Sequence, residues 1–150
     1  EAVNVAAEHV KAENQGVLIF SGHNGVGKSF AGAFLAWRSR GRYLRKSDWS
    51  SLTTWSKDYD DIIEYRDTGG TLVFDEVLQN SAESPETIKA LNMIACERHD
   101  LGRSTLLITR ADDNEFYRVF GNDMLDRARQ HSKERFHGSG FISLKGRSRR

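Results

Sequence analysis

Cysteine and proline occur once each in this chain of 150 residues, as Cys96 and Pro85. A single cysteine excludes an intramolecular disulfide, and Cys96 stands in a helical pattern where a small buried residue is the ordinary reading. A single proline excludes a proline-rich linker, and no low-complexity segment or internal repeat is present. No apolar run approaches the ~20 residues of a membrane span, and no signal peptide is recognisable, so the expected location is cytoplasmic. Net charge is nearly absent too: 22 Lys and Arg against 21 Asp and Glu leave +1. The molecule as a whole is no polycation, so any contact with nucleic acid must come from a local patch. The first residue is Glu1 rather than Met, which leads us to expect a fragment of a longer chain.

What is present suits one globular domain over 1–150. Hydrophobic residues make up 38% and charged residues 29%. A chain of this size buries roughly two-thirds of the surface it exposes when unfolded, enough for a core of its own. "AVNVAAEHVKAEN" carries helical spacing, with Val3, Ala6, Ala7 and Val10 on one face. "VLIF" (17–20) is a continuous apolar run, the mark of a strand buried on both faces. A helix "KSFAGAFLAWRSR" closed by Gly41, a strand "RYLRK", and a polar stretch with helical turns over 47–70 follow. "TLVF" (71–74) predicts the third strand. Ser84 and Pro85 open a helix as N-cap and first helical residue. "STLLIT" (104–109) predicts the fourth strand, Asp112-x-x-Glu115 caps a short helix ending at Gly121, a further helix contains "MLDRARQ", and "FISL" (141–144) is the fifth strand. Strands alternating with helices imply an α/β fold: a five-stranded parallel sheet covered by helices on both faces.

The segment "SGHNGVGKS" (21–29) contains Gly22-x-x-x-x-Gly27-Lys28-Ser29. It stands between an apolar strand and an amphipathic helix, where a loop that cradles a triphosphate belongs. Glycines 22, 25 and 27 let the backbone curl, so that the stretch Gly22, His23, Asn24, Gly25, Val26, Gly27, Lys28, Ser29 and Phe30 can turn N–H groups toward phosphates. Lys28 supplies a point charge to the β- and γ-phosphates, and the Ser29 hydroxyl is a ligand for Mg²⁺. ATP and Mg²⁺ are the cofactors expected.

"TLVFDE" sets Asp75 and Glu76 at the carboxyl end of a buried strand, the edge where open parallel sheets bind ligands. Asp75 would hold the Mg²⁺, and Glu76 would orient and deprotonate a water for attack on the γ-phosphate. A small-molecule kinase gains nothing from a carboxylate that activates water, whereas an ATPase needs one. Thr109 and Arg110, at the end of the fourth strand, would lie beside Asp75 if that strand inserts between the first and third, and could sense the γ-phosphate. Arg127 and Arg129 lie two residues apart in a helical segment, on different faces. Either could reach the γ-phosphate of an adjoining subunit; otherwise both belong to a solvated basic helix.

The order of these motifs, and above all "VFGNDMLDRAR" after the fourth strand, resembles the DnaC/IstB group of AAA+ ATPases, the bacterial and phage helicase loaders and transposon helpers. The resemblance runs from about Gly16 to Arg149. It implies a P-loop AAA+ core of three layers, helix–sheet–helix, without the helical lid that follows the fifth strand in most such proteins. It implies that Arg127 is an arginine finger acting on a neighbour's ATP, with Arg129 the second choice. Arg147, in "KGRSRR", replaces the lid's sensor residue, and Thr109 and Arg110 occupy the first-sensor position, where loaders often carry asparagine beside the threonine. The partners implied are a hexameric replicative helicase, single-stranded DNA held weakly, and further copies of the chain in a spiral. The helicase-binding segment would precede Glu1.

Other features stay open. Trp49, Trp55 and Tyr59 could stack on exposed bases, but Asp58, Asp60, Asp61, Glu64 and Asp67 would repel phosphates, and packing against the sheet is the plainer reading. The basic end, Lys145 to Arg150, is a better electrostatic candidate. The rivals to a loader are a transposition helper of the IstB kind, a P-loop small-molecule kinase, and a module that holds ATP only structurally.

Overall fold

A computed structural model describes residues 2–11, 16–79, 83–134 and 140–144. Five parallel strands form one sheet in the order β2-β3-β4-β1-β5. They are β1 (Gly16–Gly22), β2 (Arg42–Leu44), β3 (Thr71–Val77), β4 (Ser104–Thr109) and β5 (Phe141–Leu144). β4 does insert between β1 and β3, with Phe20 opposite Ile108 and Phe74 opposite Leu107.

The helices divide unequally between the two faces. α1 (Ala2–Lys11) and α2 (Lys28–Arg38) cover one. There Ala6, Ala31 and Leu35 pack on Leu18, Phe20, Val73, Leu106 and Ile108. The other face carries α3 (Lys46–Trp49), α4 (Tyr59–Asp67), α5 (Pro85–Asp100), α6 (Asp113–Phe120) and α7 (Asn122–Glu134). There Trp49, Ile62, Leu91, Ile94, Phe116 and Leu125 pack on Val17, Ile19, Leu72, Phe74 and Leu107. The alternation Val17, Leu18, Ile19, Phe20 between the two cores is the two-residue period of a strand buried on both sides. Three layers, α-β-α, are the result. In α1 Ala6 is buried and Val3 and Ala7 are half-buried, as the spacing predicts; Ala2, which it did not mark, is buried as well, and Val10 lies outside the described side chains.

Two strand bounds differ from the pattern. β2 is only three residues long because Arg45 already caps α3. β3 does not end at Phe74. Its pairing with β4 breaks after Phe74 and resumes at Val77 opposite Thr109, so Asp75 and Glu76 sit in a bulge within the strand.

The helix starts are those read from the sequence. Ser84 Oγ accepts from the Thr87 N–H at 3.1 Å, and Asp112 Oδ1 from the Glu115 N–H at 2.8 Å. One side chain had no signal. Arg98 of α5 is wholly buried and, among the described residues, lies in no ion pair within 4 Å. Its guanidinium instead donates to the carbonyls of Tyr65, Arg66, Thr68, Gly70 and Ser104 at 2.7–3.0 Å and to Thr105 Oγ1 at 3.1 Å. It closes the C-terminal end of α4, whose last carbonyls have no helical partner. Burial pushes this guanidinium down to about 10. Cys96 is partly buried, and burial raises its thiol above the usual range.

Among the described residues, no helix is long and apolar enough to cross a membrane.

Candidate nucleotide site

The loop after β1 starts where the backbone leaves no room for a side chain. Gly22 has φ +147°, and a Cβ there would lie 2.5 Å from the Leu144 carbonyl oxygen of β5. Gly27 adopts the left-handed conformation at φ +89° and delivers the chain into α2. Lys28 is buried and folds back on the loop. Its Nζ donates to the Gly22 carbonyl and, at 2.7 Å, to that of His23. Val26 packs toward the α2 core instead of the loop's hollow.

A cavity of about 350 Å³ opens above the loop. Asn24, Gly25, Gly27, Lys28, Ser29 and Phe30 line one side; Asp75, Glu76, Gln79 and Ile108 line the other. The phosphate loop and the acid pair, separated by some fifty residues of sequence, thus face one space. The reason is the strand order: β3 is one strand removed from β1, and both release their loops at the same edge.

Asp75 is 6% exposed and held at three atoms. Oδ1 accepts from the Glu76 N–H at 2.8 Å, Oδ2 from the Tyr43 hydroxyl, and its carbonyl oxygen from Trp49 Nε1 at 3.0 Å. Burial and this hydrogen bond raise the Tyr43 phenol well above its ordinary range. Glu76 is exposed and has φ +62°, a conformation that costs a non-glycine residue of order 1–3 kcal/mol. The bulge turns its side chain to the cavity while Asp75 stays buried.

Ser29 and Asp75 offer oxygen atoms only, one hydroxyl and one carboxylate. That small, hard donor set suits Mg²⁺, which keeps several waters and takes further oxygens from phosphates. Among the described residues there is no cluster of three or more His, Cys, Asp or Glu that could form an all-protein cage.

At the end of β4, Thr109 is fully buried and its hydroxyl accepts from the Ala111 N–H at 3.0 Å; it underlies the cavity without lining it. Arg110 is the residue that reaches the loop. Its Nε donates to Asn24 Oδ1 at 2.7 Å, and the Gln79 amide oxygen, turned to face it, lies 3.1 Å from Nη2. Lys28 is pushed below its usual range, by burial first and by the Arg110 charge second, against an opposing pull from Asp75.

Arg127 and Arg129 are not among the residues lining this cavity. Arg127 Nη2 lies 3.6 Å from Asp100 Oδ1 at the end of α5, and Arg129 Nη1 lies 4.0 Å from Asp126 Oδ1 on α7. Arg147 and the basic end Lys145–Arg150 lie outside the described residues. The aromatic segment separates: Trp49 is wholly buried against Asp75 and cannot stack on a base, whereas Trp55 and Tyr59 are exposed. Tyr43, Trp49 and Gln79 are the site residues that motif reading missed. Their sequence surroundings are ordinary, and only the pairing of β2 with β3 brings Tyr43 to Asp75.

No protein-family model and no curated protein matches the sequence. Solved structures do match. A DnaC helicase loader superposes with a TM-score of 0.67 at 17% identity, over 95% of this chain and 86% of that one. The chain has a DnaC-like AAA+ fold. DnaI superposes with a TM-score of 0.62 at 17% identity, over 96% of this chain and 83% of that one. AMPPCP-bound DnaA from Aquifex aeolicus gives 0.62 at 17% identity, covering 95% of this chain but 45% of that longer protein. The part that superposes is therefore under half of the DnaA chain.

Proposed function

We propose that this AAA+ domain is an ATPase that loads a replicative helicase during DNA replication. The observation that carries the proposal is the single cavity in which Lys28 and Ser29 of the phosphate loop face Asp75 and Glu76 of β3. The likeness to a helicase loader over 95% of the chain supports the biological role.

In this reading, Lys28 leaves the carbonyls of Gly22 and His23 for the β- and γ-phosphates. Ser29 and Asp75 hold Mg²⁺, which when bound neutralises charge on the phosphate oxygens. Glu76, exposed on its bulge, orients the attacking water and takes its proton. Arg110 carries the first-sensor role, because it follows β4 directly and its side chain bonds Asn24 of the loop. Arg127, with Arg129 as second choice, serves a neighbouring copy's nucleotide, and Arg147 replaces the lid's sensor. ATP binding then favours a spiral of subunits on the hexameric helicase and weakly bound single-stranded DNA, and hydrolysis releases it. The work would take place in the cytoplasm.

The test is Glu76→Gln. It should keep ATP binding, lose hydrolysis by about 10²-fold or more as expected for loss of a general base, and stay co-eluted with the helicase in ATP. Hydrolysis at the wild-type rate would overturn the role of Glu76. Lys28→Ala should abolish nucleotide binding; an unchanged affinity would overturn the phosphate site itself.

A further inference from the structure

Tyr43 belongs to no motif, yet it touches the centre of the site. β2 pairs with β3 so that Tyr43 stands beside Val73, two residues before Asp75 on the same face. Its ring packs in the α2-side core and passes close to Gly32, where an added Cβ would lie 3.5 Å from Tyr43 Cε2. That distance is ordinary van der Waals contact, and the phenol extends past Gly32 to the sheet's carboxyl edge. There the hydroxyl donates to Asp75 Oδ2, whose residue lines the same cavity as Ser29.

Without that donor, the carboxylate keeps, among the described residues, the bond from the Glu76 N–H to Oδ1 alone. A carboxylate held at one oxygen turns about its Cβ–Cγ bond. One held at both presents its remaining lone pairs in a fixed direction. Outer partners of this kind govern how well a ligand meets its metal, and their loss costs typically 10–100-fold in metal affinity.

We propose that Tyr43 is a positioning residue for the divalent cation, its hydroxyl fixing the Asp75 carboxylate so that the carboxylate faces Ser29 before nucleotide and Mg²⁺ arrive. The proposal rests on the reading of Ser29 and Asp75 as the Mg²⁺-holding pair. Tyr43 does not meet the phosphates, so its effect is confined to the metal-linked part of binding.

The experiment measures binding of a fluorescent ATP analogue to the full chain, in EDTA and across a Mg²⁺ titration. Tyr43→Phe should raise the Mg²⁺ concentration at half-effect about tenfold, with EDTA affinity within about twofold of wild type. In an Asp75→Asn background the same substitution should shift nothing further, because Tyr43 acts through that carboxylate. An unshifted Mg²⁺ midpoint in Tyr43→Phe, or a shift that persists in Asp75→Asn, overturns the proposal while leaving the nucleotide site intact. A wild-type chain that binds the analogue without any Mg²⁺ linkage overturns the metal reading, and this proposal with it. Tyr43→Leu removes the same hydroxyl with different packing and is held to the same outcomes if Tyr43→Phe does not fold.

Discussion

Arg110 at the end of β4 donates from Nε to Asn24 Oδ1 in the phosphate loop across 2.7 Å, joining two segments 86 residues apart. Burial first, and the charge stationed there second, lower the Lys28 ammonium's affinity for its proton. A triphosphate satisfies both cations at once.

That relationship yields the first prediction. Arg110→Gln should weaken ATP binding by roughly tenfold or more, the cost of one charge-assisted hydrogen bond. ADP, which lacks the γ-phosphate, should change by less than about twofold. Titration calorimetry with the two nucleotides separates the effects. Equal losses for ATP and ADP would show that Arg110 only shapes the loop.

Glu76 sits at φ +62°. Glycine adopts that conformation without strain, so Glu76→Gly should stabilise the fold by about 1 kcal/mol, raising Tm by ~2–4 °C, while abolishing hydrolysis. Glu76→Gln retains the strain and should leave Tm where it is. A Tm that falls in Glu76→Gly would mean that the carboxylate, and not the backbone, dominates the energetics of the bulge.

Arg98 should be the most costly single polar side chain to remove. Arg98→Met removes this donor from the carbonyls of Tyr65, Thr68, Gly70 and Ser104 in a largely buried space, and leaves the Arg66 carbonyl to Arg103. We expect a loss of about 3 kcal/mol or more by urea unfolding, and little recovery in Arg98→Lys, whose ammonium has no planar fork to reach both sides. A loss under about 1 kcal/mol would refute the capping role.

Asp67 provides a pH signature. Hydrogen bonds from Arg66, and then from Arg103, pull its carboxyl from an ordinary 3.8 down to about 2. The folded state therefore holds its proton less tightly than the unfolded state. The stabilisation is complete above about pH 4 and disappears as the pH falls through about 2. The difference in urea midpoint between wild type and Asp67→Asn should be constant from pH 7 to 5 and shrink steadily below pH 4. A difference that persists at pH 2 would contradict the linkage.

Much of the molecule was legible in the chain because its signals are local. The apolar runs at 17–20, 71–74 and 104–109 are strands for the reason read from them, burial on both faces. Ser84 and Asp112 cap helices because their side-chain oxygens meet N–H groups three residues on. The phosphate loop needs glycines at fixed spacing, and Gly27 does take the backbone angle that glycine permits. The continuation of β3 to Val77 was not legible, since two acids after an apolar run look like a strand end. Nor was the fate of Trp49: an indole among polar residues looks available for stacking until the chain places its N–H on the Asp75 carbonyl.

By itself, then, the sequence determined the elements, the glycine-rich loop between β1 and α2 and the two acids that follow an apolar run, because each depends on residues within a few positions of one another. Only the tertiary structure decided what meets what. Strand order brings β3 within one strand of β1 and sets Lys28 across a cavity from Glu76. The pairing of β2 with β3 brings an unmarked tyrosine to the Asp75 carboxylate. The pairing of β4 with β1 leaves Arg110, just past β4, rather than the buried Thr109, as the side chain that reaches the loop. Those contacts join residues 32 to 86 positions apart, and no periodicity or spacing along the chain encodes them.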